Sequence, residues 1–343
     1  MKKLAALALV PLVSISLAAC SGAPASSPGQ EPEKETYSLR LATHYEVTHP
    51  GYAALERIVD ALDEESNGRL DVTLYPASQL GDYTQTYQDL TKGAVDLALI
   101  PIPSEMDKKL EMNFIPFMVT SYDKMGQSFG KDSAFFKEYT EVHANLGVKL
   151  LGIYVEGFVG MGFKTLPENY GDALAAKNLK VRAPAIQSNA WAAEDMGFSV
   201  MTIPYADSYT ALQTGVVDGW IGGTPQLNYS GFKDVIKYFV SYNVFPENIG
   251  FFASQETFDS LPADLQAVVD EVFMAEATLS YQTAEEADEA ALAALREYGI
   301  ETITLTEEEM QGYVENAQRL TWPRLAANIG QETLDMLIEE SKQ

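Results

Sequence analysis

The chain has a single cysteine, Cys20, among its 343 residues. No disulfide can form within it, and a metal site or redox pair built on cysteines is excluded. Histidine is almost as scarce. Of the three present, His44 and His49 are five apart in a stretch running into Pro50. That is not the helical spacing that sets two imidazoles on one zinc ion. Positive charge is short as well, with 23 Lys and Arg against 49 Asp and Glu and a formal charge of −26. Such acidity repels nucleic acid and anionic lipid headgroups and keeps a protein soluble. It does not make a ligand cationic, because a closed pocket responds to its local groups. A phosphate-cradling glycine loop is also missing, as is any cysteine nucleophile beyond residue 20. Carboxylates are too many for a catalytic pair, and with it glycoside hydrolysis, to be excluded on composition.

What is present begins with "MKKLAALALVPLVSISLAAC", two lysines and an apolar run too short and interrupted to span a membrane, then small residues before Cys20. This is an export signal, and its end resembles the lipobox of bacterial lipoproteins, where cleavage precedes an acylated cysteine. Residues 1–19 are read as the leader and Cys20 as the lipid-bearing residue, with the membrane reached only through the acyl chains. From Ser21 to Thr36, "SGAPASSPGQEPEKET" has almost nothing to bury and reads as a flexible leash, so residues 20–36 form anchor and linker. Removal of the leader leaves 21 basic and 49 acidic residues, a formal charge of −28.

The body, from Tyr37, is about 300 residues long, beyond the size at which one core usually keeps growing, so two lobes are expected. It opens with an alternating strand, a loop with His44 and His49, an amphipathic helix, Asn67-Gly68 and a second strand, a β-α-β unit. The helix around "YTQTYQDLTKG" and the continuously apolar strand "VDLALIPIP" extend it. Further on, "LKVRAP", "NAWAAEDMG", "FSVMTIP", "ADSYTALQTG" and "VVDGWIGG" alternate strand and helix again. Two α/β lobes with mostly parallel sheets follow.

The blocks "LRLATHYEVTHPGYAALERIVDALDEESNGRLDVTLYPASQLGD", "LTKGAVDLAL", "LKVRAP", "YADSYTALQTGVVDG" and "FDSLPADLQAVVDE" together resemble the extracytoplasmic solute-binding proteins of TRAP transporters, the DctP family. The resemblance runs from about Tyr37 to near the C-terminus. It implies a periplasmic-binding-protein-like fold with a ligand cleft between lobes and a long lobe-spanning helix. Residues 37–157 with 248–287 are assigned to the first lobe, and 158–247 with 288–343 to the second.

The resemblance also gives candidate site residues. Arg182 matches the arginine of the family's K-x-R-x-P block, which clamps the ligand carboxylate, and a guanidinium fork suits two parallel hydrogen bonds to that group. Its alternative is an internal ion pair with one of the many acids. Tyr205 falls where an aromatic residue packs on the ligand. Trp220, Ile221 and Gly222 depart from the family's Gln-Glu-Asn, which puts an indole at Trp220 against the cleft or into the core; in the cleft it would favour an acid with an apolar or aromatic portion. His44 matches a first-lobe region of polar contacts. Glu156 and Lys164 flank "GFVGMGF", where relatives supply a second cationic group, and Asn243 and Asn248 near the return crossing could donate to a ligand oxygen.

The implied protein is a monomer outside the cytoplasmic membrane. It would capture a small organic acid without a cofactor or catalysis and pass it to TRAP permease subunits. A solute-sensing or adhesion lipoprotein would share the same fold and chemistry.

Overall fold

A computed structural model describes residues 34–341. Cys20 and the leader lie outside the described residues.

In chain order the elements are β1 (Tyr37–Thr43), α1 (Pro50–Glu65), β2 (Leu70–Tyr75), α2 (Tyr83–Leu90) and β3 (Leu97–Ile100). Then come α3 (Met125–Phe129), α4 (Ala134–Asn145), β4 (Val148–Phe158), β5 (Gly160–Phe163), β6 (Lys180–Ala183), α5 (Gln187–Asp195) and β7 (Ser199–Thr202). These are followed by α6 (Tyr205–Thr214), β8 (Gly219–Gly223), α7 (Pro225–Gly231), β9 (Tyr238–Ser241), β10 (Pro246–Ser254) and α8 (Gln255–Ser260). The chain ends with α9 (Ala263–Tyr298), β11 (Glu301–Thr304), α10 (Glu307–Ile329) and α11 (Gln331–Ser341).

Two sheets organise the body, one ordered β2-β1-β3-β10-β4 and the other β11-β9-β5-β8-β6-β7. Each is mixed. Within the β-α-β units β1 runs parallel to β2 and β3, and β6 parallel to β7 and β8. The antiparallel pairs involve β10 in the first sheet and β5 in the second. The reason lies in the connectivity, because β4 leads out of the first sheet directly into β5 of the second, and β9 returns into β10. A strand that crosses over and comes back reverses direction against its neighbours.

The first lobe's core gathers Leu41, Leu55, Leu97, Leu99, Ile153 and Phe252, all nearly or fully buried. The second sheet is covered on both faces. One core holds Val181, Ile221 and Val240 with Tyr313 and Ala317 of α10, and the other holds Leu212, Trp220, Phe232 and Phe239 with Leu295 of α9. The 36-residue α9 buries Leu265, Val269 and Phe273 in the first lobe and Leu295 in the second, so it spans both. At about 1.5 Å per residue it is roughly 54 Å long.

The expected assignment of residues 288–343 to the second lobe is corrected at its end. Leu325 and Ile329 of α10 and Leu334 and Leu337 of α11 join the first lobe's core. Helix α10 therefore also crosses between lobes, and its interior Pro323 stands at the crossing.

Candidate functional site

The parallel strands of both lobes end at the same place. In open α/β sheets that edge, outside the carboxyl ends of the strands, is where ligand crevices form. In the second lobe β6 stops because Pro184 has no N–H to continue a central ladder. Arg182 stands at this end, paired in register with Met201 of β7 and Trp220 of β8.

Arg182 is only 3% exposed. Its Nε donates to the Ile203 carbonyl at 2.8 Å, just past β7, and its Nη1 to the Ile221 carbonyl at 3.5 Å, within β8. No described carboxylate forms a salt bridge with it, and among the described residues Nη2 has no hydrogen-bond partner. Burial pushes its pKa down to about 10, which leaves it charged at neutral pH. The guanidinium is thus held by two carbonyls and keeps one edge for an anion. The Tyr205 ring, at the start of α6, lies 6.0 Å from the guanidinium carbon and is 41% exposed. Gly222 has φ +116°, and a Cβ built on it would come within 3.4 Å of Arg182 Nη1. A longer side chain here would crowd the guanidinium, and glycine leaves that space open.

The first lobe contributes from the carboxyl ends of its strands. His44 follows β1; its Nδ1 is buried with no hydrogen-bond partner, and burial lowers its pKa to about 4, so it is neutral. Tyr83, at the start of α2, lies within electrostatic range of Arg182.

Glu156 lies on β4, just before the chain crosses over. Its Oε2 accepts from the Tyr45 hydroxyl at 2.8 Å, and its Oε1 from His49 Nε2 at 3.2 Å and Thr224 Oγ1 at 3.3 Å. The His49 tautomer follows from its role as N-cap of α1, where Nδ1 accepts from the Gly51 N–H at 3.0 Å and so leaves the ring proton on Nε2. Burial alone would raise the Glu156 pKa, but the donors that His49 and Tyr45 point at the carboxylate outweigh it, and the net shift is downward. Tyr45 and His49 belong to the first lobe and Thr224 to the second, so one carboxylate ties the two together.

Trp220, Lys164 and Asn248, three of the four remaining expected site residues, lie elsewhere. Trp220 is fully buried in the core between the second sheet and α7; its indole N–H donates to Asn228 Oδ1 at 2.9 Å and its ring packs 4.1 Å from Phe232. The expectation of an apolar pocket wall made by this indole is therefore corrected. Lys164 follows the far end of β5, where its Nζ donates to the Leu212 carbonyl at 2.8 Å and caps α6. Asn248 is fully buried on β10 and its Nδ2 donates to Asn113 Oδ1 at 3.1 Å, turned toward the first lobe's interior. Asn243 takes a left-handed conformation, φ +48°, in the turn from β9 to β10.

Residues that sequence reasoning missed are Tyr45, His49, Tyr83, Thr224 and Glu247. The last stands on β10. Between the pairs Pro246–Phe158 and Asn248–Val155 the register shifts by one residue, which sets Glu247 opposite Glu156 and Gly157. No sequence signal gives that register. The chain also contains the Gly-x-Ser-x-Gly spacing of a nucleophile elbow, at Gly126-Gln127-Ser128-Phe129-Gly130. Here it lies on the short helix α3 rather than on a strand-to-helix turn, and Ser128 makes no hydrogen bond to a histidine. Among the described residues no cluster of three or more His, Cys, Asp or Glu could hold a metal ion.

A crevice of about 330 Å³ opens at the lobe boundary, between Ser104 and Glu105 on one side and Pro184, Gln187 and Thr202 on the other. The larger concavity, about 1540 Å³, is an open groove on the first lobe lined by Phe136, Met274 and Met336, away from the charged groups above.

Residues 41–326 match the family model of the bacterial extracellular solute-binding proteins, family 7 (DctP). The chain belongs to this family. Among its relatives are the sialic acid-binding periplasmic protein of Vibrio cholerae, 23% identical and covering 88% of this chain and 92% of that one, and the C4-dicarboxylate-binding periplasmic protein DctP of Rhodobacter capsulatus, 25% identical over 83% and 84%. In fold it is similar to a TRAP periplasmic solute-binding protein from Desulfovibrio salexigens with bound orotic acid, with a TM-score of 0.81, 20% identity and coverage of 90% and 99%. Family 7 membership makes this chain a substrate-binding protein by class, and no helix among its described residues is long and apolar enough to cross a membrane.

Proposed function

We propose that the protein captures a small organic acid by closing its lobes and delivers it to the membrane subunits of a TRAP-type secondary transporter. The observation that carries this reading is Arg182, buried and charged at a strand end, in no salt bridge with any described carboxylate. A buried charge without a partner is costly, so the site is completed by an anion that arrives from outside. Two relatives described above are named for sialic acid and for C4-dicarboxylates, and the similar Desulfovibrio salexigens structure holds orotic acid.

Closure follows from the layout. Arg182 and Tyr205 meet the ligand from the second lobe and His44 and Tyr83 from the first, so a ligand that touches both stabilises the closed state over the open one. Glu156, with donors from both lobes, adds to that state. Lipid attachment through Cys20 would hold the protein at the membrane where its transporter sits, and the intact mass of the mature protein, with or without acyl chains, decides that point.

Native mass spectrometry of protein purified without refolding should find a co-purified acid. Arg182→Ala should fold and bind that acid about 30- to 3,000-fold more weakly, the cost of losing a buried bidentate partner. Arg182→Lys should recover little, since an ammonium is a point charge rather than a fork. Wild-type affinity in the alanine variant, measured by calorimetry, would remove Arg182 from the site.

A further inference from the structure

Three protein donors point at the Glu156 carboxylate, and those from the first lobe cannot follow the second. Tyr45 is wedged between the His44 ring at 4.1 Å and the stacked His49 ring at 3.9 Å. Gly51 lies against it so closely that a Cβ there would come within 2.3 Å of the Tyr45 ring. His49 is itself fixed as the N-cap of α1. Thr224 is held just as firmly on the other side. It follows β8 directly and is fully buried; its Oγ1 accepts from the Leu227 N–H at 3.3 Å as the N-cap of α7, and its carbonyl accepts from Asn228 Nδ2 at 2.9 Å. The hydroxyl proton goes to Glu156 Oε1 at 3.3 Å. Two groups, each locked into its own lobe, thus meet in one hydrogen bond. At that length a further stretch of a few tenths of an ångström ends it, so even a small rotation of the lobes makes or breaks it. Ile221, whose carbonyl holds Arg182, is three residues before Thr224. The guanidinium and the bond to Glu156 therefore ride on the same strand.

We propose that Thr224 is a positioning residue for closure: its hydroxyl latches the second lobe to Glu156 and sets the balance between closed and open forms before any acid arrives. This rests on the lobe-closure reading and adds to it a determinant buried outside the acid's own contacts. In the open form water takes both hydrogen-bonding positions, so the latch favours closure only by its net value, a small factor. An acid that binds the closed form has an apparent affinity proportional to the closed fraction. Thr224 therefore scales affinity for every acid alike and leaves the choice among acids to Arg182 and its neighbours.

The test reads the distance between lobes by fluorescence energy transfer. Asp60→Cys on α1 and Leu174→Cys in the second lobe, both exposed, carry the dyes in the full chain with Cys20→Ser. Without added acid, Thr224→Val should lower the closed-to-open ratio about 3- to 10-fold, the span for one net hydrogen bond. Thr224→Ser should keep the wild-type ratio. Thr224→Asp retains an N-cap oxygen for α7, loses the donor and sets a like charge against Glu156, so the ratio should fall at least as far. The dissociation constant of the acid recovered by native mass spectrometry should rise by the same factor, and its preference over succinate and benzoate should stay as in the wild type. A ratio unchanged in Thr224→Asp overturns the latch, because loss of the cap then explains the valine variant. An equal fall in Thr224→Ser overturns it too, since that variant keeps the hydroxyl. If the wild type holds one lobe distance that the recovered acid does not move, the closure reading itself fails and the latch with it.

Discussion

Trp220 fills the core beneath α7, and its N–H satisfies the buried Oδ1 of Asn228, whose own Nδ2 holds the Gly223 and Thr224 carbonyls at 3.3 and 2.9 Å. Trp220→Ala should cost about 3–5 kcal/mol of stability, the range for truncating a core aromatic. Trp220→Phe keeps most of the volume but strands the Asn228 acceptor, a cost of about 1–3 kcal/mol. Denaturant unfolding of the ligand-free protein should show both losses. A Trp220→Ala variant that melted like wild type but bound no acid would return the indole to the pocket. The place of Arg182 was legible because a short motif fixes it at a strand end before a proline. Those of Trp220 and Lys164 were not, because a sequence places a residue on a strand but does not say which face or which edge of the sheet it meets. Lys164 follows the far end of β5, opposite the cleft, although it is only eight residues from Glu156 in sequence.

At the scale of elements, the crossing from β4 to β5 rests on one side chain of α9. Asp288 Oδ2 accepts from the Phe158 N–H at 2.8 Å and the Tyr122 hydroxyl at 2.7 Å, while its Oδ1 is buried without a partner. Gly157, at φ +141°, is where the chain bends, and a Cβ there would run into the same carboxylate. Burial is the largest cause of the raised pKa of Asp288, about 7 against 3.8 for an unperturbed group. Between these values the folded protein holds a proton that the unfolded chain has released. The contribution to stability is therefore present below about pH 4 and falls as pH rises toward 7, by about 4 kcal/mol at most. Asp288→Asn keeps an acceptor for both donors and removes the titration. Its Tm should exceed that of wild type at pH 8 and match or fall below it at pH 4; parallel Tm profiles for the two proteins across that range would show that Asp288 does not titrate there. The long helix that crosses between lobes is implied by the family resemblance. The bulge that sets Glu247 opposite Glu156 is not, because register is decided by packing on both faces of the β4–β10 ladder and not by either strand alone.

On the scale of the whole molecule, β4–β5, β9–β10, α9 and α10 all pass from one lobe to the other, so opening must bend each of them near the cleft. The C-terminal segment decides how tightly the last crossing is held. Helix α10 starts with a capping box at Thr306 and Glu309 and packs Tyr313 and Ala317 into the second lobe. Past Pro323, whose missing N–H weakens the helix there, Leu325 and Ile329 enter the first lobe's core, and α11 follows with Leu334 and Leu337. The side chain of Glu340 on α11 accepts from the Ala134 N–H at 2.8 Å at the start of α4. If α11 is a strap on the first lobe, Leu337→Ala removes a buried side chain from that core, at a cost of about 2–5 kcal/mol. Hydrogen exchange should then quicken in α4 and α11 while β6 and β8, which carry the Arg182 end of the cleft, keep their protection, since local opening follows cooperative units of packing. Affinity for the acid should change little under conditions where the variant stays folded. Faster exchange confined to β6–β8, with α4 unchanged, would instead return the last helix to the second lobe.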